Sequence, residues 1–109
     1  MSTSSETQQC EYQLEFAVSA KEEWDKLDPV IRRQFATKLK IRLSHPHVAK
    51  DKLKGMPGCY KIKLRASGYR LVYEVQNAVV LVTVLAVGKR EQNKVYTAAR
   101  KRLSRKLTQ

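Results

Sequence analysis

"CYKIKLRASGYRLVYEV", residues 59–75, is the stretch on which the fold turns. Tyr60, Ile62 and Leu64 alternate with Lys61, Lys63 and Arg65. Beyond Ser67-Gly68, Tyr69, Leu71, Tyr73 and Val75 alternate with Arg70, Val72 and Glu74. Period-two alternation on both sides of a turn dipeptide predicts an antiparallel β-hairpin. Directly opposed residues share a face, so an even-numbered residue must oppose an odd-numbered one if both apolar sets are to meet one core. A tight loop at Ser67-Gly68 does this, pairing Arg65 with Arg70, Lys63 with Val72 and Lys61 with Glu74. A three-residue loop would bury Arg70 beside Leu64. One sheet face therefore carries Lys61, Lys63, Arg65 and Arg70, with Lys54 just upstream. Like charges side by side on a sheet repel, so the row needs a reason.

The flanking segments supply the rest of an α+β domain. "YQLEFAV", residues 12–18, alternates Tyr12, Leu14, Phe16 and Val18 against polar partners and reads as a half-buried strand. Ser19 with Glu22 three residues on has the pattern of a capping box, which starts a helix at Ser19. Ala20, Trp24 and Leu27 fall at helical spacing. Asp28 can N-cap a second helix and Pro29 suits its first turn. Ile31, Phe35, Leu39 and Leu43 form its buried stripe, and "HPH" at 45–47 ends it, since Pro disfavours helix in the preceding residue. Residues 49–58 form a basic loop. "AVVLVTVLAV", residues 78–87, is apolar on both faces and reads as a central strand, with Gln76-Asn77 as its connecting turn. "GKRE" breaks that strand. From Glu91 a short amphipathic helix places Val95, Ala99 and Leu103 on one stripe.

Length and charge narrow the function. The chain has 109 residues, which suits one domain over 12–109 behind a polar leader over 1–11. No apolar run approaches membrane-span length. The start lacks the basic and apolar regions of a secretory signal. Cys10 and Cys59 then read as free thiols in a reducing cytoplasm. His45 and His47 have no Cys, Asp or Glu cluster beside them, so no metal site is expected. The net charge of +12 is uneven: residues 1–30 sum to −5 and residues 31–109 to +17. That excess points to a polyanionic partner, and nucleic acid is favoured over membrane because no basic amphipathic helix with large apolar anchors is present.

Lys, Arg and Tyr without His or carboxylate suit phosphodiester cleavage in RNA. The 2′-OH attacks the adjacent phosphorus, so the substrate supplies the nucleophile. The protein must take one proton, give one to the leaving 5′-oxygen and stabilise a dianionic transition state. Arg suits the last task through its planar fork of donors. Crowded cations favour the neutral form of a lysine, which lets it act as a base. Tyr96, beside the Val95 stripe, is free to point at the same face, and Lys89 and Arg90 close the neighbouring strand.

The block "YKIKLR…GYRLVY…VGKRE…VY" closely resembles the RelE family of bacterial toxins, within the RelE/ParE superfamily, and the resemblance runs from about Tyr12 to Leu103. It implies an antiparallel sheet with an N-terminal helical hairpin packed on one face and a short C-terminal helix. It implies ribosome-dependent cleavage of mRNA in the A site, without a cofactor. The catalytic set it implies is Lys61, Lys63, Arg70, Arg90 and Tyr96. Arg70 stabilises the transition state, Arg90 serves as general acid, Tyr96 stacks on or orients the base, and Lys63 and Tyr96 both stand open as general base. Lys54, Arg65 and Lys89 join as substrate-binding cations. The implied partners are a RelB-like antitoxin, the 70S ribosome with its mRNA and 16S rRNA, and operator DNA bound by the toxin–antitoxin complex. Two other readings use the same fold: a ParE-like inhibitor of gyrase, and a catalytically silent ribosome-binding module. Glu74, paired with Lys61, would raise that lysine's pKa and partly neutralise the anion site.

Overall fold

A computed structural model describes residues 11–89 and 93–107, the side chains of 104–107 excepted. The leader apart from Glu11, and with it Cys10, lies outside the described residues, as do Arg90, Glu91 and the last two residues. The elements are β1 (Gln13–Phe16), α1 (Val18–Asp25), α2 (Pro29–Ser44), β2 (Cys59–Leu64), β3 (Tyr69–Gln76), β4 (Leu81–Lys89) and α3 (Lys94–Leu107). The four strands form one sheet in the order β1-β4-β3-β2. β2, β3 and β4 run antiparallel to their neighbours, while β1 joins the edge parallel to β4. The α+β class holds, with a mixed rather than wholly antiparallel sheet.

α1 and α2 cover one face. Ala20, Leu27, Phe35 and Leu39 meet Tyr60, Ile62, Leu64, Leu71, Tyr73, Val75, Val82, Val84 and Val87 in the larger core. Asp28 caps α2 as its sequence foretells, its carboxylate accepting from the Val30 N–H at 2.9 Å, with Pro29 at the first helical position. The capping box at Ser19 does not form. α1 begins one residue earlier behind Ala17, with no side-chain cap, and Val18 turns to solvent at 79% exposed. Leu14, on the edge strand, is 40% exposed.

α3 covers part of the other face. Val95, Ala99 and Leu103 pack on Met56, Cys59, Val72, Leu85 and Ala86. A bulge in β4 opposite Val72 and Tyr73 makes this second core possible. An extra residue there resets the alternation, so Val84 and Val87 face α1 and α2 while Leu85 and Ala86 face α3. The central-strand reading of β4 holds, although it starts at Leu81. Residues Asn77–Val79 instead form a 3-10 turn, followed by Val80 in the left-handed region at φ 52°.

The hairpin's faces are as foretold and its register is not. β2 and β3 pair Lys63 with Arg70, Lys61 with Val72 and Cys59 with Glu74. The connection is a four-residue turn closed by the Gly68 N–H donating to the Leu64 carbonyl at 2.9 Å. A two-residue Ser-Gly loop of the type that fits twisted strands needs a positive φ at Ser67 as well. The longer turn needs it only at Gly68, where φ is +79°. The slip is two residues, so every side chain keeps its face.

Candidate active site

The slip tightens the cationic row. Lys63 lies directly across from Arg70, and Arg70 directly across from Gly88 on β4. Lys61 lies one rung away, across from Val72. Lys61, Lys63 and Arg70 are half-buried. Among the described residues the Arg70 guanidinium makes one weak bond, 3.3 Å to the Tyr69 carbonyl, which leaves most of its donors for another partner. Glu74 sits across from Cys59 and Thr83, not Lys61, so the neutralising Glu74–Lys61 pairing is corrected.

Gly88 positions the remaining aromatic group. A Cβ at Gly88 would sit 3.5 Å from Val95 Cγ2. That is ordinary contact distance, so the first turn of α3 lies directly against β4, next to Arg70's rung. Tyr96 follows Val95 in that turn and packs half-buried against the smaller core, on the same sheet face as Lys61, Lys63 and Arg70.

The other sequence-marked cations scatter. Lys89 opposes Tyr69, and its ammonium lies 5.9 Å from the Tyr69 ring centroid, on the face opposite Arg70. Arg65 lies in the turn, outside β2, and Lys54 is exposed in the 52–57 loop. Arg90 lies outside the described residues. No group of His, Cys, Asp or Glu among the described residues has metal-binding geometry. Cys59 is a free, fully buried thiol. Burial, and secondarily the Glu74 charge, push its pKa up to about 12. It stays protonated and serves packing, not nucleophilic chemistry.

Two supporting ion pairs had no local signal. Arg42 donates 2.6 Å to Asp51, 2.8 Å to the Tyr73 hydroxyl and 3.2 Å to the Lys61 carbonyl, which ties α2 to the outer edge of β2 beneath the lysines. The Tyr73 hydroxyl donates in turn to the Pro46 carbonyl at 2.8 Å, and its pKa is raised chiefly by burial. Glu23 and Arg102 form the second pair, bonded at both guanidinium nitrogens at 3.0 Å. They cap β4 where β1 has ended: the Val87 N–H donates to Glu23 at 3.1 Å and Arg102 donates to the Leu85 carbonyl at 2.7 Å. This clasp joins α1 on one face to α3 on the other.

With that geometry in place, known proteins can be set beside it. Residues 14–94 match the family model for the ParE toxin of the type II toxin-antitoxin system parDE. The mRNA interferase toxin RelE of Escherichia coli K12 is 51% identical over 92 residues, which is 84% of this chain and 97% of that protein. The chain belongs to the RelE family of toxins. The family model carries the ParE name, and the half-identical relatives place the chain on the RelE side. A free E. coli RelE variant, with two arginines changed to alanine, superposes with a TM-score of 0.80 at 50% identity, covering 84% of this chain and 97% of that one. RelE in the intact E. coli RelBE toxin–antitoxin complex superposes at 0.72 with 51% identity, covering 74% and 99%. Among the described residues, no helix of this RelE chain is long and apolar enough to cross a membrane.

Proposed function

We propose that this RelE toxin is a ribosome-dependent endoribonuclease that cleaves mRNA in the A site. The carrying observation is the rung that sets Lys63 directly across from Arg70, on the sheet face that Tyr96 approaches from α3. The 2′-OH of the substrate attacks the scissile phosphorus. Arg70 holds the dianionic transition state with its fork of donors. Lys61 adds charge one rung away. Either Lys63 or Tyr96 takes the 2′-OH proton, and Arg90 gives one to the leaving 5′-oxygen. Tyr96 stacks on or orients the base. Lys54, Arg65 and Lys89 bind the RNA backbone more remotely. A single domain over residues 12–109 carries all of this.

The same reading supplies partners. A RelB-like antitoxin silences the toxin in the cytoplasm, and the complex represses its own operon at operator DNA. The E. coli RelE structures with RelB and with a RelB peptide support the antitoxin partner. A codon-resolved map of cleaved mRNA after induction tests the activity. Cuts within codons on translated messages are expected. Intact messages with stalled ribosomes would indicate a silent ribosome-binding module, and intact messages with poisoned gyrase a ParE-like inhibitor.

A further inference from the structure

Outside the catalytic rung, a recess of about 350 Å³ opens at the outer edge of β2. Its walls are Lys38 from α2, Lys50 from the 3-10 turn Ala49–Asp51, and Lys63 and Arg65 from the hairpin. Its floor is the Arg42–Asp51 pair, with side chains 15% and 12% exposed. Arg42 is occupied by Asp51, Tyr73 and the Lys61 carbonyl, so the floor is neutral and rigid. Among the described residues, none of the four wall cations has an ion pair or a side-chain hydrogen bond. Ile62 is the one apolar residue in the lining. Four unpaired cations converging on one small recess repel one another, and a bound anion relieves that repulsion.

We propose that this recess is a second phosphate site, which holds an RNA backbone phosphodiester flanking the cleaved bond. The inference rests on the ribosome-dependent reading above. The recess shares Lys63 with the catalytic rung, so a strand whose scissile phosphate lies at Arg70 has a neighbouring phosphate within reach. The walls are Lys and Arg side chains, whose charges suit the compact charge of a phosphodiester. Lys38 and Lys50 act in binding alone.

The test measures affinity for programmed ribosomes across a salt series, with a 2′-O-methyl A-site codon to block cleavage. Three proteins are compared: wild type, Lys38→Gln/Lys50→Gln, and a control Lys26→Gln/Lys40→Gln with equal charge loss on exposed sites. The recess variant should bind at least tenfold more weakly, its salt slope reduced by roughly 0.7–0.9 for the one phosphate no longer neutralised. The control should change under threefold. Single-turnover cleavage of unmodified mRNA at saturating toxin should be unchanged in both. Messages truncated after the A-site codon separate the two RNA sources: loss of the difference there assigns the phosphate to mRNA downstream of the cut, as proposed, and its persistence assigns it to rRNA and overturns the flanking phosphodiester. Equal losses in the two variants overturn the site while leaving the enzyme reading intact. Failure of wild type to cleave overturns the enzyme reading instead. NMR titration with a 2′-O-methyl RNA 12-mer then still reads the recess: shifts at Lys38, Lys50 and Lys63 that the variant abolishes sustain the phosphate site, and their absence refutes it. Equal shifts with a polyglutamate 12-mer would reassign the recess to an acidic protein segment and overturn the proposal.

Discussion

Under α1 and α2, Ile62, Leu71, Tyr73, Val82 and Val84 are at most 1% exposed. Under α3, Cys59, Val72 and Leu85 are as tightly closed, yet Lys61, Lys63 and Arg70 stand half-open beside them. The same strands serve both faces. The buried part of the first face is given to packing. The second is split between a small core and a row of cations that repel one another. A charged row can be held this close because the buried side chains on the reverse of each strand fix its backbone. Stability should therefore answer to substitutions on the first face, and chemistry to substitutions on the second.

The strongest challenge to that division is Phe35→Ala, at the centre of the larger core. Removing a fully buried ring should cost about 3–5 kcal/mol in urea or thermal unfolding. The cleavage rate per folded molecule should stay near wild type. A rate that falls with stability still intact would show that the packing face takes part in the chemistry.

Arg70→Ala is the converse. It opens no cavity, and a lost transition-state donor costs roughly 10²–10³ in rate. Arg65→Ala removes the same charge from the turn, off the Lys63–Arg70 rung, and should cost far less. Single-turnover cleavage on programmed ribosomes, with circular dichroism and ribosome pelleting, reads both. Equal losses would make the face a generic polyanion dock.

Part of this division is legible in the sequence. Parity alone assigns every hairpin side chain to a face, because a slip by an even number of residues cannot change it. For the same reason parity could not reveal the true register, and Lys63 against Arg70 had to be seen. Val72, apolar between Arg70 and Glu74, is the one local sign that the cationic face is half covered. β4 is apolar throughout, so its bulge leaves no pattern to read. Glu23 and Arg102 are 79 residues apart, and nothing near either names the other. Arg42 and Asp51 read as ordinary charges until α2 and β2 are brought together.

The Glu23–Arg102 clasp crosses between the faces, so loosening it sharpens the comparison. Glu23→Gln keeps an acceptor for Val87 and loses the charge. Bonds to charged groups contribute about 1.5–3 kcal/mol each when both partners are in place, and the retained amide should hold the loss near the lower end of that range. Hydrogen exchange should rise in α3 more than in β2, and the cleavage rate should drop modestly as Tyr96 loses its anchor. Unchanged protection of α3 would mean that Val95, Ala99 and Leu103 hold it unaided.

The smallest effect is expected at Val80, which belongs to neither face. Its φ of 52° puts a β-branched side chain in the left-handed region, where L-residues pay roughly 1–2 kcal/mol and Asn is tolerated. The conformation is held from both sides. The Val80 N–H donates to the Asn77 carbonyl at 3.2 Å, and the Val80 carbonyl accepts from Gln13 at 3.0 Å, which docks β1 onto the sheet. The side chain is 39% exposed, so little packing is lost on replacement. Val80→Asn should therefore gain about 1 kcal/mol, which raises Tm by roughly 4–8 °C in a domain of this size. The larger and smaller cores should both benefit, since they unfold together, and single-turnover cleavage should not change. A raised Tm with a slower cut would show that strain in this turn reaches the cationic row through β4. A lowered Tm would show that the left-handed turn depends on the valine side chain.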